Sequence, residues 1–508
     1  MAAASSPARL ARLVPISRPN RPPARRKPSS VSPPPHRETQ PEDRVPLREK
    51  TALGLGFVTS LGSQNVIHVT ANSIFNVTMG MSPALISVVL FVQRVWDAVL
   101  DPLVGQFSDN FRSRFGRRRP LLAAALVPMA VFFTAIWLLP RQVGERGLFG
   151  YLLVWSLLFY TARSFYAVPL VGLQVEATPD YHERTRLTGF TQILFFAFAI
   201  IPNWLFAWIQ GPQFPDPLTG VHRMGLMLGG FFLLTGLAPV FFGRERYYSQ
   251  VASRPARARF RENLRTALRN RPFALILAMQ GVASFGYNIV GSLGTYTLYY
   301  YVYGGDIRRG SVMLGWTGTA FQLGSIASVF LYRRLSRVWG KRRALLTALG
   351  ILMVGSAAKW YLFQPAHPSL QILVWLANGA GTTGIAVLTL SMLADAADYE
   401  EFQSGDRREG LYASMLSFCD KAGYSLGALI SGFILVGTGF EVRLGGAQSA
   451  QTLLMMRILY AVFPFAGALV AALIIRRYPL SEERAYEIKA ELERRRGQPN
   501  PVARTGAA

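Results

Sequence analysis

The chain is poor in the residues that most readily announce chemistry. A single cysteine, Cys419, excludes an intramolecular disulfide framework and leaves no thiolate cluster for a metal. Five histidines occur without HExxH-type spacing, so no zinc centre is expected. No nucleophile–base pair is legible, which argues against an enzyme. Acidic residues are scarce, 28 against 54 basic, for a formal charge of +26. The segment MAAASSPARLARLVPISRPNRPPARRKPSSVSPPPHR at the start holds no acid and no apolar run, so it is neither a secretory signal nor a core-forming segment.

What is abundant is apolar length: 51% of the residues are hydrophobic. The arginines sit in short clusters between apolar stretches of about 20 residues, the pattern of a polytopic helical membrane protein. A soluble nucleic-acid binder would spread that charge over loops and amphipathic faces, so no nucleic-acid partner is expected. Windows long enough to span fall at 52–78, 83–106, 120–140, 148–175, 187–210 and 224–243, then at 273–302, 311–332, 343–363, 370–394, 411–437 and 453–475. Loops after the even-numbered windows hold roughly two dozen Lys and Arg, the others about six, which places those loops and both termini in the cytoplasm.

The expected organisation is a disordered basic extension over 1–50, a six-helix bundle over 51–243, a basic cytoplasmic linker over 244–271, a second bundle over 272–476 and a cytoplasmic tail over 477–508. The halves echo each other. Phe115-Gly116-Arg117-Arg118-Arg119 follows the second window and Trp339-Gly340-Lys341-Arg342-Arg343 the eighth. This predicts an all-α fold of twelve transmembrane helices in two pseudo-symmetric halves, as in major facilitator transporters, with the solute near midplane between them. The expected place is a plasma or inner membrane. If residues 1–45 are a transit peptide it is an organelle membrane instead; a basic tail or an upstream start codon also explains that stretch.

Asp97 and Asp101 lie inside ALISVVLFVQRVWDAVLDPLVGQ. Carboxylates at bilayer depth are costly and mark ion paths or charge partners. Spaced by four, they share a helix face, and two like charges so close favour an intervening cation or proton.

Three blocks carry a family resemblance: RVWDAVLDPLVG (94–105), EATPDYHERTRL (176–187) and LADAADYEEFQSGDRREGLYASMLSFCDKAG (393–423). Together with Gly105…Asp109 and Arg114-Phe115-Gly116-Arg117-Arg118, they resemble the glycoside–pentoside–hexuronide:cation symporters of the major facilitator superfamily. The resemblance implies a cation site of Asp97, Asp101, Ser164 and Lys421, with no metal beyond a Na+ at the two aspartates and no cofactor beyond the coupling ion, Na+ or H+. It implies a small-molecule solute, a lipid bilayer as the surroundings, and a monomer. Ala167, Val171 and Gln192 stand where the family has a sugar-binding acid, a tryptophan and an arginine, so a galactoside is not the expected cargo. A lysolipid, carried by some members, is the alternative cargo; a cation-independent uniporter and a membrane sensor are the remaining ones.

Span boundaries put Asp97, Ser164 and Lys421 each about eleven residues, or roughly 16 Å, from the cytoplasmic end of a helix. One shared depth is therefore expected, with Lys421 or Arg94 neutralising the acids when the cation is absent. Helix one carries Gln64, His68, Asn72 and Asn76 on one face, an expected cavity wall. Tyr160, Tyr166, Gln192, Trp204, Tyr287, Asn288, Trp316 and Asn378 complete the expected substrate cavity. Lys359 is a further midspan charge, open to either snorkelling to the interface or a functional role. Asp109, Arg112, Arg184, Arg407 and Glu409 are expected to gate the cytoplasmic side.

Overall fold

A computed structural model describes residues 43–245, 269–405 and 409–497. The expected linker over 244–271, apart from its ends, and Arg407 lie outside the described residues. Helix dominates, as it must where no water serves the backbone. In chain order the helices are α1 (Leu47–Phe57, Val58–Gly62, Ser63–Ala71 and Asn72–Thr78 end to end), α2 (Pro83–Asn110), α3 (Arg119–Trp137) and α4 (Glu145–Glu176). Next come α5 (Tyr181–Phe198, then Ile201–Ile209), α6 (Pro217–Phe242), α7 (Arg271–Asn288, Gly291–Tyr296 and Thr297–Val302) and α8 (Ile307–Trp339). The last are α9 (Lys341–Leu362), α10 (Gln371–Ser404), α11 (Glu409–Gly437), α12 (Ala450–Ile475) and a tail helix α13 (Glu482–Gly497).

Each expected window is a helix, with ends shifted by several residues. Ten are long and apolar enough by themselves to cross a membrane. The exceptions among the twelve windows are α1, whose middle carries Ser, Thr, Gln, Asn and His, and α8, whose charge-free middle over 310–332 is diluted by Gly, Ser, Thr and Gln. Starts are set by side chains that satisfy free amides: Asp180 accepts from Glu183, Asp216 from Thr219, Asn270 from Phe273 and Ser449 from Thr452. Outward faces are apolar, with Leu234, Phe330, Val354 and Ile193 all more than half exposed, the surface expected against lipid.

The two echoing basic turns fold alike. Gly116 (φ 106°) and Gly340 (φ 79°) both occupy the left-handed region that a side chain resists. Each turn meets an acid from beyond the last helix of its half, Glu245 at Gly116 and Glu482 at Gly340. Glu245 accepts from the amides of Arg117, Arg118 and Arg119 at 2.9–3.1 Å, closing the start of α3. Glu176 at the end of α4 accepts from Arg117 and Arg118 at 2.7 and 2.8 Å. Lys341 reaches Asp395 of α10 at 2.7 Å. Burial lowers the affinity of Arg118 for its proton, and Glu176 opposes that.

The halves meet chiefly where α2 packs on α11 and where α5 packs on α8. Toward the end remote from the basic turns, hydrogen bonds between the halves tie α1 to α7 and α5 to α8. They join Asn72 to Ser292 (3.5 Å), Ser73 to Tyr299 (3.3 Å) and Trp204 to Thr319 (3.0 Å). One apolar core runs through the first half and continues into Tyr296, Tyr299, Leu435 and Met456 of the second. A second core, around Phe273, Ile276 and Leu345, stays within the second half and takes in the tail through Ile488 and Leu492. The molecule is thus sealed at the remote end.

Within the second half, α7 and α12 touch at Gly286 and Gly467, where a Cβ on either would lie within 2.8 Å of the other's backbone. Gly467→Leu is expected to cost about 1–3 kcal/mol by overpacking, read as a lower melting temperature of the purified protein in detergent, whereas Gly350→Leu, which meets nothing within 4 Å, should leave it unchanged.

Candidate functional site

Mid-depth on α2, Asp97 is buried and Asp101 partly open. Pro102 follows directly and removes one helical hydrogen bond. The structure brings Asp97, Asp101, Ser164 and Lys421 to one place from three helices. The Ser164 hydroxyl donates to Asp101 Oδ1 at 3.0 Å and stands 3.4 Å from Asp97 Oδ1. Lys421 Nζ lies 3.3 Å from Asp101 Oδ2, an ion pair that joins the two halves.

The charge partner of Asp97 is neither Lys421 nor Arg94, as expected from the sequence, but Arg163. Its Nη1 stands 3.0 Å from Asp97 Oδ1, with side-chain exposures of 7% and 3%. Arg163 Nε donates to the Ser60 carbonyl (3.1 Å) and Nη2 to Gln64 Oε1 (3.2 Å). The family pattern marks Ser164 and not its neighbour Arg163. A charged residue in the middle of an apolar span was the available signal.

The polar stripe of α1 extends this centre. Gln64 Nε2 donates to Tyr160 Oη (3.4 Å), and Tyr160 Oη lies 3.3 Å from His68 Nε2. Arg94 Nη2 meets the same nitrogen at 2.9 Å. Arginine only donates, so His68 Nε2 is an acceptor here. Arg94 also lies over the Tyr424 ring, 5.0 Å from its centroid, and His68 packs edge-on to that ring. A continuous polar chain thus runs from Arg94 through His68, Tyr160, Gln64, Arg163, Asp97, Ser164 and Asp101 to Lys421. Beside Lys421, Asp420 accepts from Gln280 (2.9 Å) and from Ser284 of α7, a polar group not foreseen from the sequence.

Several expected cavity residues lie elsewhere. Tyr166 is buried against α6, its hydroxyl donating to the Gly236 carbonyl at 2.9 Å. Asn378 is buried between α9 and α10, against Gly355. Trp204 and Trp316 pack on each other across the α5–α8 seam (5.2 Å), closing the remote end. Asn72 belongs to the same closure, and Asn76 donates to the Met81 carbonyl at the end of α1. Gln192 is half-buried on α5, Tyr287 packs against the second-half core, and Asn288 donates to the Ser284 carbonyl one turn back in α7. Lys359 does not snorkel: it is buried, 3.9 Å from the Tyr460 ring centroid. These displacements have one cause, since a stripe on a sequence fixes a helix face but not which neighbour that face meets.

The expected gate is also rearranged. Asp109 lies 3.6 Å from both Arg117 and Arg118, within its own half. Arg184 donates to the Thr178 carbonyl, and Arg112 is exposed. Glu409 begins α11. None of these described contacts crosses between the halves.

A model of the family described as "MFS/sugar transport protein" matches residues 53–482. The chain belongs to this family, the glycoside–pentoside–hexuronide symporter branch of the major facilitator superfamily. Among curated relatives, the isoprimeverose transporter of Lactiplantibacillus pentosus is 23% identical over 470 residues, covering 91% of this chain and 94% of its own. The glucuronide carrier protein homolog of Escherichia coli (strain K12) is 26% identical over 437 residues, covering 82% and 89%. Among solved structures, a D-xylose-proton symporter superposes with a TM-score of 0.58 at 14% identity, over 86% of this chain and 98% of that one. A bacterial homolog of the human lysosomal transporter Spinster gives 0.62 at 13%, over 86% and 99%. These structures establish the major facilitator fold. The protein is an integral membrane transporter and not an enzyme.

In this transporter Asp97 and Arg163 form a sealed pair, while Asp101 and Lys421 are 30% and 42% exposed at the side chain. Asp97→Asn leaves a buried guanidinium without its counter-charge and is expected to cost about 3–5 kcal/mol. Asp101→Asn, whose partner can turn to water, should cost less than about 1 kcal/mol. Melting temperatures of the two variants in one detergent check the order.

Proposed function

We propose that this transporter is a cation-coupled symporter for a sugar, glycoside or similar small polar solute, working by alternating access. The observation that carries the reading is the Asp101–Lys421 pair, a mid-depth, water-accessible bond between the two halves. A cation or proton that takes Asp101 releases Lys421, and the tie between α2 and α11 is exchanged for occupancy. A ligand moves a conformational equilibrium only through such differential affinity. The relatives' names support the solute class. The polar chain along α1, together with Asp420, Gln280 and Ser284 on the opposite half, offers the donors and acceptors that hydroxyl groups require.

Under the positive-inside rule the basic turns and both termini are cytoplasmic. The seal at the remote end then corresponds to an inward-facing state, in which Asp109, Arg112 and Arg184 are not engaged across the halves. We place the protein in a plasma or inner membrane as a monomer, divided into the two six-helix bundles that the echoing turns imply.

Proteoliposome uptake with imposed Na+ or H+ gradients tests the reading, using isoprimeverose, a glucuronide, D-xylose and a lysophosphatidylcholine as the panel. Gradient-driven accumulation of a sugar several-fold above equilibrium is the expected result. Accumulation of the lysolipid alone would reassign the cargo, and equilibration without accumulation would make the protein a uniporter. Asp101→Asn is expected to reduce the accumulation ratio to about one while counterflow exchange persists, a loss of driving force with passage retained. Lys421→Ala should impair the same ratio; unchanged gradient dependence would leave Lys421 a structural residue.

A further inference from the structure

Arg163 is placed where a coupling metal ion would need oxygen. We infer that its guanidinium acts as a tethered cation at Asp97, removing that carboxylate from ion exchange and restricting coupling to a proton taken up at Asp101. This rests on the symport reading above and goes on to name the ion.

A hard cation is held by several oxygens, and two carboxylates with a hydroxyl would be the core of such a set. Here Asp97 Oδ1 faces Arg163 Nη1 at 3.0 Å, and Asp101 Oδ1 accepts from Ser164. Arg163 cannot be set aside by deprotonation, since guanidinium stays charged. It cannot readily turn away either. Its other donors are fixed on the Ser60 carbonyl and Gln64 Oε1, and its side chain is 7% exposed. Lys421 differs on both counts: it makes one ion pair, is 42% exposed, and belongs to the other half.

Charge counting limits the site to one monovalent cation, and coordination then selects between Na+ and the proton. With Lys421 withdrawn, Asp97, Asp101 and Arg163 together carry one net negative charge rather than two. One proton on Asp101 neutralises that and needs no coordination shell. Na+ bridging Asp101 and Asp97 through the Ser164 side would meet the fixed guanidinium already on Asp97 Oδ1, a repulsion that low-dielectric surroundings strengthen. The groups joined to Asp101, directly through Ser164 and Lys421 or further along the hydrogen-bonded chain, agree with this assignment. From α4 come Arg163 and Ser164, and from α11 comes Lys421, with Asp420 engaged by α7. From α1 come Gln64 and, a turn further, His68; Asp97 and Arg94 share its own helix.

The test uses 22Na+ binding to the full chain purified in detergent at constant pH. Wild type is expected to show no saturable binding that unlabelled Na+ displaces. Arg163→Gln, which frees Asp97, should gain it, with affinity raised by about tenfold or more. Arg163→Lys keeps the charge and should behave as wild type. Saturable Na+ binding by wild type overturns the inference, and so does an Arg163→Gln protein that is monodisperse and folded yet gains none. Arg163→Ser replaces Arg163→Gln if the latter fails to fold, and the wild-type arm decides independently of either. In proteoliposomes, sugar uptake driven by H+ but not Na+ supports the inference. Uptake driven by Na+ defeats it while leaving symport intact, whereas no accumulation under either gradient defeats symport itself.

Discussion

Charge inside a low-dielectric slab is the constraint on which the rest of this structure depends. Asp97 sits at mid-depth with almost no exposure, and an ionised carboxylate there is tolerable only with a partner in hydrogen-bond contact. Arg163 supplies it, and satisfying Arg163 in turn requires Ser60 and Gln64. Four residues on three helices are therefore fixed together by one buried charge. The π-helical turn Val58–Gly62 lies in α1 where the Ser60 carbonyl faces Arg163, in keeping with the habit of such turns to mark functional positions.

Next to this fixed pair stands a movable one. Asp101 and Lys421 share the depth and the chemistry but differ in water access and in belonging to opposite halves. An exposed ion pair contributes little to stability, which suits a contact that is to be made and broken. The division of labour follows from geometry: the sealed pair organises α1, α2 and α4 as one body, and the open pair ties that body to α11. The remote-end seam, built from Trp204, Trp316, Tyr299 and the first-half core, supplies the other attachment between halves.

Much of this was legible in the sequence because it rests on local chemistry. Apolar length gave the helices, and the repeated Gly-basic turn marked the same place in each half. The structure renders that repeat as two left-handed glycines, each met by an acid from beyond the last helix of its half. Residue counts along helices gave Asp97, Ser164 and Lys421 one depth, since equal rise from equal ends means equal depth, while the choice of those residues came from the family resemblance. Tyr166 and Asn378 were misplaced for a reason internal to helices: each lies on a polar or aromatic face, but that face meets α6 in one case and α9 in the other.

By itself, then, the sequence determined what the bilayer demands: where apolar segments must lie, which ends carry positive charge, and that Asp97 and Asp101 need positive partners. Only the tertiary structure decided which partners. Arg94 and Lys421 were the expected partners and Arg163 was not, and helix packing assigned Arg94 to His68 and Tyr424, Arg163 to the sealed aspartate and Lys421 to the open one. The reason is that the cost of a buried charge is set along the chain by composition, whereas its relief depends on distances of about 3 Å that exist only between helices already packed.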